Sequence, residues 1–219
     1  GLAAENEGDA PQILLFPEVA FDKEKFLAKV DDCVKTKGYC TIVASEGVRD
    51  ADGKFIADAG TTDAFGHTQL GGVASTLATM IKTELGHKYQ YAIADYLMRA
   101  ARHIASKTDL EQSYAVGKAA VEYAISGKAG VMVTIERQSD APYTWTIGEA
   151  PLDQVANVEK MMPAEYISDD GFHITEACRR YLAPLIEGET YPPYANGLPQ
   201  YVTLKNAPVE KKTGTTFEV

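Results

Sequence analysis

The stretch ILLFPEVAFDKEKFLAKVDDCVKTKGYCTIVASEG, residues 13–47, decides the fold of this chain. It opens on a short apolar run, ILLF (13–16), and closes on the β-branched run YCTIVAS (39–45), and each is typical of a buried strand. Between them, apolar residues recur every three or four positions over 23–36, and Asp22 can cap the start of that helix. Strand, helix and strand in this order predict a βαβ unit, and hence an α/β protein with a parallel sheet.

Helical and strand patterns continue beyond this unit. The Gly-, Asp- and Thr-rich stretch 48–69 predicts a loop with one short hairpin. Its DADG sequence predicts a turn, because the later ligands of a calcium loop are missing. Asp109 is expected to cap the helix that follows it. Further helices are predicted at 70–86, 109–126, 152–160 and 174–188, strands at 89–94, 129–136 and 143–148, and a tail with four prolines at 189–219.

Composition restricts the class of protein. The 219 residues are 45% hydrophobic and 24% charged, as in ordinary globular proteins. The formal net charge is −10, from 21 basic and 31 acidic residues, and such a field repels nucleic acid and anionic membranes. No apolar run approaches the roughly 20 residues that span a bilayer. We therefore expect no nucleic-acid and no membrane partner.

The N-terminus and the cysteines bear on the compartment. The opening GLAAENEGDAPQ lacks the basic start and the apolar core of a signal peptide. There is no initiator Met, so we expect a piece of something longer. The three cysteines are odd in number and form no CxxC, which argues against a disulfide framework and against a zinc site. They predict reduced thiols and a cytoplasmic location.

Two polar residues follow predicted strands, where open α/β sheets usually bind ligands. Glu46 follows YCTIVAS, and a carboxylate there can accept hydrogen bonds from sugar hydroxyls; the alternative is an N-cap or a surface acid. Arg99 follows YQYAIADYLM and offers a planar charged fork that suits a phosphate. Tyr96, one turn earlier, can add a hydroxyl. The alternative for Arg99 is the edge of a solvated helix, which Arg102 and His103 extend.

Motifs that carry catalysis are missing from the sequence. It has no GxSxG, no GxxxxGK[ST], no HExxH and no GxGxxG. Its four histidines are too scattered to propose as a metal set. From the residues alone, we interpret the chain as an acidic α/β half-enzyme that binds a small phosphorylated polyol and lacks its own catalytic base.

Several distinctive segments resemble the C-terminal part of 6-phosphofructokinases, most closely the pyrophosphate-dependent bacterial branch. They are GLAAENEGDAPQILLFPEV, TIVASEG, FGHTQLGG, ADYLMRAARHIAS, IGEAPLDQVANVEKMMP and GFHITEACRRYLAPLIEGE, and they run nearly end to end. The resemblance implies a parallel-sheet, Rossmann-like phosphofructokinase fold, of which this chain is the C-terminal portion, with parts of two α/β domains. Residues 1–99 would belong to the fructose 6-phosphate-binding domain. Residues 100–165 would pack toward the phosphoryl-donor domain, and 166–219 would form the C-terminal helix and extended tail.

The resemblance also implies roles for single residues. Glu46 matches the family glutamate that contacts fructose 6-phosphate, and Arg99 matches the arginine that holds its 6-phosphate. Tyr96 stands where pyrophosphate-dependent members commonly have tyrosine. Nine residues before the arginine the family often has a basic residue that reaches the neighbouring subunit's substrate, and this chain has Gln90 there. Lys88, two residues away, is the candidate substitute.

The implied activity is that of a glycolytic phosphotransferase. It phosphorylates fructose 6-phosphate at the 1-hydroxyl, with pyrophosphate as the expected donor and Mg²⁺ as the expected cofactor. In the family an aspartate takes the proton of that hydroxyl, whose oxygen then attacks the magnesium-bound donor in line. The aspartate, the Gly-rich donor loop and the metal ligands have no match in this chain, so we expect no catalytic residue here and no activity of the chain alone.

Three other interpretations stay open on the sequence. The donor could be ATP. The chain could be a non-catalytic half that binds sugar phosphate or regulates, or a structural subunit that completes another chain's site. The resemblance further implies a homo-oligomer, either a dimer or a tetramer.

Overall fold

A computed structural model describes residues 1–6, 8–62, 68–70, 72–94, 96–101, 103–208 and 210. In chain order, its helices and strands are β1 (Ile13–Leu15), α1 (Lys23–Lys37), β2 (Ile42–Ala44), β3 (Asp58–Thr62), β4 (Thr68–Leu70), α2 (Val73–Leu85), α3 (Leu97–Ala100), β5 (Ala105–Ser106), α4 (Lys107–Ile125), β6 (Val131–Asp140), β7 (Tyr143–Pro151), α5 (Glu176–Leu182), β8 (Glu189–Thr190), β9 (Tyr194–Ala195) and β10 (Leu198–Pro199). Short 3₁₀ turns lie at Leu152–Gln154, Ala164–Tyr166 and Ala183–Ile186.

The βαβ unit forms as predicted. β1 and β2 are parallel, with Ile13 opposite Ile42, and α1 connects them. The Asp22 side chain accepts a hydrogen bond from the Lys25 amide at 3.0 Å and so caps the start of α1. Gly38 ends the helix in the left-handed region (φ 80°), which a residue with a Cβ rarely adopts.

A hydrophobic core underlies this unit. Its buried side chains come from β1, α1 and α2 and from the loops between them, and one comes from far along the chain: Ile13, Leu15, Phe26, Val30, Val48, Ala57, Val73, Leu77, Ile81 and Phe172. The carbonyl of Phe172 also accepts a hydrogen bond from the Leu14 amide at 2.8 Å. The return of the chain at Phe172 therefore closes the core formed by the first 81 residues.

The other strand pairs are antiparallel. β3 and β4 form the hairpin expected within 48–69, and β6 and β7 form a long hairpin over the two predicted strands 129–136 and 143–148. β5 pairs with β8, and β9 with β10. The parallel pair is thus confined, among the described residues, to β1 and β2.

Three helix predictions need correction. At 152–160 there is only the 3₁₀ turn Leu152–Gln154. The helix expected over 174–188 ends as α5 at Leu182, because Pro184 lacks the amide that an α-helix requires, and a 3₁₀ turn follows. α4 begins at Lys107 and its cap is Ser106, whose Oγ accepts a hydrogen bond from the Asp109 amide at 3.0 Å.

The strand predicted at 89–94 is also wrong. Residues 87–94 belong to no helix or strand, and no backbone hydrogen bond joins residues 87–93 to another described residue. Tyr89, Tyr91 and Ile93 alternate as a strand would require, but all three are about half exposed. The alternation is present, but a strand also needs a neighbour to pair with.

The apolar stripe of α4 points away from the rest of the described chain. Tyr114, Val121 and Ile125 are exposed, whereas Gln112 and Ala119 are buried. The Gln112 amide donates to the Tyr143 hydroxyl at 2.6 Å. Among the described residues, no helix is long and apolar enough to cross a membrane.

Candidate functional site

The carboxyl ends of β1 and β2 form the edge at which Glu46 lies. The Ser45 amide donates to the Leu15 carbonyl at 3.1 Å, so the ladder continues to the last residue before Glu46. The chain then turns, and Val48 is buried in the core. Glu46 is exposed on this turn, between two anchored residues. The prediction that Glu46 follows a strand is confirmed, and its role toward a ligand stays a prediction.

A small cavity of about 190 Å³ opens beside the same edge, between the loop after β1 and the turn at 170–172. Its walls are mainly apolar, and its polar side chains are Asp22, Lys25 and Asp170. Asp22 is the cap of α1, and the Lys25 ammonium donates to the Asp170 carbonyl at 2.9 Å. These polar groups therefore hold the loops in place around the cavity.

Asp170 is the most strongly perturbed acid described. Burial alone would raise its pKa, but three hydrogen bonds to the carboxylate outweigh burial and lower the pKa to about 2. The donors are the Ser168 hydroxyl at 2.7 Å, the Phe172 amide at 3.1 Å and the Lys29 ammonium at 3.1 Å. Asp170 thus joins α1 to the turn that carries Phe172. Each of these bonds stabilises the fold, so we assign Asp170 a structural role.

Tyr96 and Arg99 lie at the start of α3 and within it. This single helical turn is closed by bonds from the Ala100 amide to the Tyr96 carbonyl and from the Ala101 amide to the Leu97 carbonyl, both at 2.9 Å. Tyr96 is the residue directly before α3, and Arg99 follows it three positions later within the helix. Tyr96 is exposed. The side chain of Arg99, and all of Arg102, lie outside the described residues.

His103 lies just after α3 and is exposed. Its backbone carbonyl accepts a hydrogen bond from the Tyr194 hydroxyl at 3.5 Å, which ties the end of this segment to the C-terminal hairpin β9–β10.

Lys88 lies in an open groove of about 400 Å³ just past the end of α2, together with Lys82, Tyr89 and Gln90. The rings of Tyr89 and Tyr91 stack with centroids 6.4 Å apart. The sequence interpretation named Lys88 and Gln90 but missed Lys82. No local pattern in the sequence links Lys82 to Lys88, because the direction of the chain after α2 sets their distance.

Two groups of candidates therefore form, and one candidate stands alone. Tyr96 and Arg99 are neighbours along the chain at α3, and Lys88 shares its groove with Lys82 and Gln90. Among the described side chains, no hydrogen bond or ion pair links Glu46 to Lys88. No group of three or more His, Cys, Asp or Glu side chains that could hold a metal ion occurs among the described residues.

The three cysteines are free thiols. Cys33 and Cys178 are buried, and Cys40 packs against the core. Burial, with a further contribution from the neighbouring Cys33, raises the pKa of Cys40 to about 12. A thiol so rarely ionised is a poor nucleophile. The raised pKa of Cys40 and the burial of Cys33 and Cys178 therefore do not support a catalytic role for these cysteines.

Comparison with known proteins adds close relatives. The chain is 60% identical over all 219 residues to the pyrophosphate--fructose 6-phosphate 1-phosphotransferase of Methylococcus capsulatus, and it spans 52% of that protein. It is 59% identical over 211 residues to the protein of the same name from Halomonas elongata, 96% of the chain against 50% of the relative. No family model matches the chain.

A solved structure supports the same assignment. The crystal structure of the pyrophosphate-dependent phosphofructokinase from Marinobacter aquaeolei superimposes with a TM-score of 0.82 at 54% identity, and covers the whole chain and 51% of the other protein. The chain thus spans about half the length of the relatives it matches. With the parallel βαβ unit and the matching segments, this shows that the chain belongs to the 6-phosphofructokinase family and corresponds in sequence to the C-terminal half of its pyrophosphate-dependent members.

Proposed function

We propose that this chain supplies the sugar-phosphate side of a phosphotransferase that converts fructose 6-phosphate to fructose 1,6-bisphosphate with pyrophosphate as the donor. The observation that carries the proposal is the 60% identity, over every residue of the chain, to a protein named for that reaction. Because the proposed reaction is part of glycolysis, we propose that the protein acts in the cytoplasm. We also propose that it is a homo-oligomer.

Four residues receive roles in this proposal. Arg99 holds the 6-phosphate through its guanidinium fork, and Tyr96, three residues earlier in the chain, donates its hydroxyl to the same anion. Glu46 accepts hydrogen bonds from sugar hydroxyls at the carboxyl edge of β2. Lys88 supplies a further positive charge. The exposed positions of Glu46, Tyr96 and Lys88 support these roles, because a substrate must reach each of them.

The domain assignment is part of the same proposal. Residues 1–99 form part of the fructose 6-phosphate domain, 100–165 pack toward the donor domain, and 166–219 form the C-terminal helix and tail. In support, the core is formed by residues 13–81 with Phe172, and the described part of 100–165 contributes no buried residue to it. The exposed apolar stripe of α4 is then the surface that faces the donor domain.

Mg²⁺ is implied by the family, but the residues described do not fit it, since no set of metal-ligating side chains lies together in them. We therefore derive no step through the metal. What this chain's residues do is bind and orient the acceptor. They fix the phosphate end of the sugar so that its 1-hydroxyl is presented to the donor, which contributes to rate by positioning.

A chimaera tests the proposal. The C-terminal half of the Methylococcus capsulatus enzyme is replaced with this chain, and fructose 1,6-bisphosphate formation is measured with pyrophosphate and with ATP, against the unaltered enzyme. We expect activity with pyrophosphate. Activity only with ATP would assign the other donor. A folded chimaera that binds fructose 6-phosphate in calorimetry without turnover would instead support the non-catalytic sugar-phosphate-binding half.

A further inference from the structure

The turn that carries Glu46, residues 45–48, sets the position of its carboxylate. Glu46 is exposed, and among the described residues no hydrogen bond or ion pair fixes this carboxylate. The direction of the side chain therefore depends on the backbone of the turn, and a ligand that uses the carboxylate needs the turn in one conformation. The contacts that hold residues 45–48 thus bear on the strength of binding.

The Ser45 side chain closes this turn. The Gly47 amide donates a hydrogen bond to the Ser45 Oγ at 3.3 Å, and the Val48 amide donates to the Ser45 carbonyl at 3.4 Å. A serine at the first position of a turn accepts from the backbone two residues on in this way. Glu46 lies between Ser45 and Gly47, so the bond to the hydroxyl holds the backbone on both sides of Glu46.

Packing fixes the rest of the turn. The Ser45 amide donates to the Leu15 carbonyl at 3.1 Å, and Val48 is 1% exposed in the core. Gly47 lies against the ring of Pro17, since a Cβ at Gly47 would stand 3.4 Å from the Pro17 Cβ and Cγ. Among the described contacts of residues 45–48, the Ser45 hydroxyl is the one polar side-chain contact. It can therefore be removed without opening the core.

We infer that Ser45 is a positioning residue for the sugar. Its hydroxyl keeps the turn in the conformation in which Glu46 meets the sugar hydroxyls, and it acts only through Glu46. The inference rests on the proposed function, which gives Glu46 that contact. Without the hydroxyl, the turn adopts the binding conformation for only part of the time. Affinity for fructose 6-phosphate then falls by that fraction, while the chemical step in the bound complex is unchanged.

Steady-state kinetics of the chimaera tests this inference. We expect Ser45→Ala to raise the KM for fructose 6-phosphate about 3- to 10-fold and to change kcat less than about 2-fold, because only ground-state binding is weakened. Ser45→Thr keeps the hydroxyl and should restore the KM. The matched control is Ser126→Ala, which should change neither constant, since the Ser126 hydroxyl also makes one local bond, to the Tyr123 carbonyl at 2.8 Å. An unchanged KM for pyrophosphate shows that each variant is folded.

A double-mutant cycle separates positioning from direct contact. Glu46→Ala removes the carboxylate, and we expect it to raise the KM for fructose 6-phosphate at least about 10-fold. In that background Ser45→Ala should add less than about 2-fold, because the hydroxyl then has no carboxylate to position. An additive loss would show that Ser45 contacts the sugar itself and would overturn the inference.

The proposed function and the inference fail in different ways. If Glu46→Ala leaves the KM for fructose 6-phosphate unchanged, Glu46 does not contact the sugar, and the role proposed for Glu46 fails together with the inference. If Glu46→Ala raises this KM and Ser45→Ala does not, the inference alone is wrong. The same holds if Ser45→Thr raises the KM as much as Ser45→Ala does.

Discussion

Arg99 is the residue on which the proposed acceptor site depends most. A charge-assisted fork to a dianionic phosphate is worth roughly 1.5–3 kcal/mol. In the chimaera, Arg99→Ala should therefore lower kcat/KM for fructose 6-phosphate by about 10- to 150-fold. Arg99→Lys should recover only part, because a point charge replaces a fork. Arg102→Ala is the control with the same charge change, and a larger effect there than at Arg99 would identify the wrong arginine.

Asp170 gives a residue-scale prediction about pH. Its pKa in the fold is about 2, below the ordinary 3.8, so the folded state favours the charged form. The stability that this carboxylate contributes is therefore present above about pH 4 and is lost as the pH falls toward 2. In thermal unfolding above about pH 4, Asp170→Asn should have a lower Tm than the unaltered chain. As the pH falls toward 2, the two Tm values should converge. The control Asp169→Asn, at the exposed neighbouring residue, should change Tm little at any pH. If the lower Tm of Asp170→Asn persists undiminished at pH 2, the structural role assigned to Asp170 is contradicted.

The sequence predicted the positions of those single residues that depend on the pattern of their immediate neighbours. Glu46 could be placed at the end of a strand because a β-branched run precedes it directly. The sequence did not predict that Lys82 and Lys88 line one groove, because the residues between them do not determine the direction of the chain after α2. Both lysines line one groove, which follows the end of α2 at Gly86 in the left-handed region (φ 72°).

At the scale of elements, two residues are candidates for the cap of α4: Ser106 and Asp109. Ser106 accepts from the Asp109 amide and also donates to the Leu185 carbonyl at 2.7 Å, so it joins the helix to the turn after α5. Ser106→Ala should lower the free energy of unfolding by about 1–2 kcal/mol. Asp109→Ala should cost only about 0.3–0.5 kcal/mol, from the helix dipole alone. Chemical denaturation of both variants measures this, and equal losses would show that Asp109 shares the capping role.

The elements that the sequence predicted correctly are those with local determinants. The first helix has a cap, a periodic face and a terminal glycine, and the long hairpin has two strands beside each other in sequence. The strand expected at 89–94 fails for the opposite reason. Alternation of Tyr89, Tyr91 and Ile93 is a local signal, whereas pairing depends on a neighbour from elsewhere, and no described residue supplies one.

At the scale of the whole molecule, the chain should not catalyse the reaction alone. The described residues contain no metal-ligating cluster, and the family's catalytic aspartate has no match in the sequence. We expect no fructose 1,6-bisphosphate from the purified chain with either pyrophosphate or ATP, at concentrations at which the chimaera is active. Turnover that follows the chain through gel filtration would refute this expectation.

Segment 87–94, which pairs with no described strand, makes the middle of the chain susceptible to limited proteolysis. A protease needs an extended, accessible stretch, and Tyr89 and Tyr91 offer one to chymotrypsin in the middle of the sequence. Once the exposed C-terminal end is trimmed, the first internal cut should fall there. The two pieces should still elute together, because Phe172 remains in the core of the first piece and Lys29 still pairs with Asp170. With Phe172→Ser they should separate on cutting. Covalent continuity across residues 87–94 is then dispensable to the folded state, and this is a natural position at which to divide the gene into two co-expressed halves.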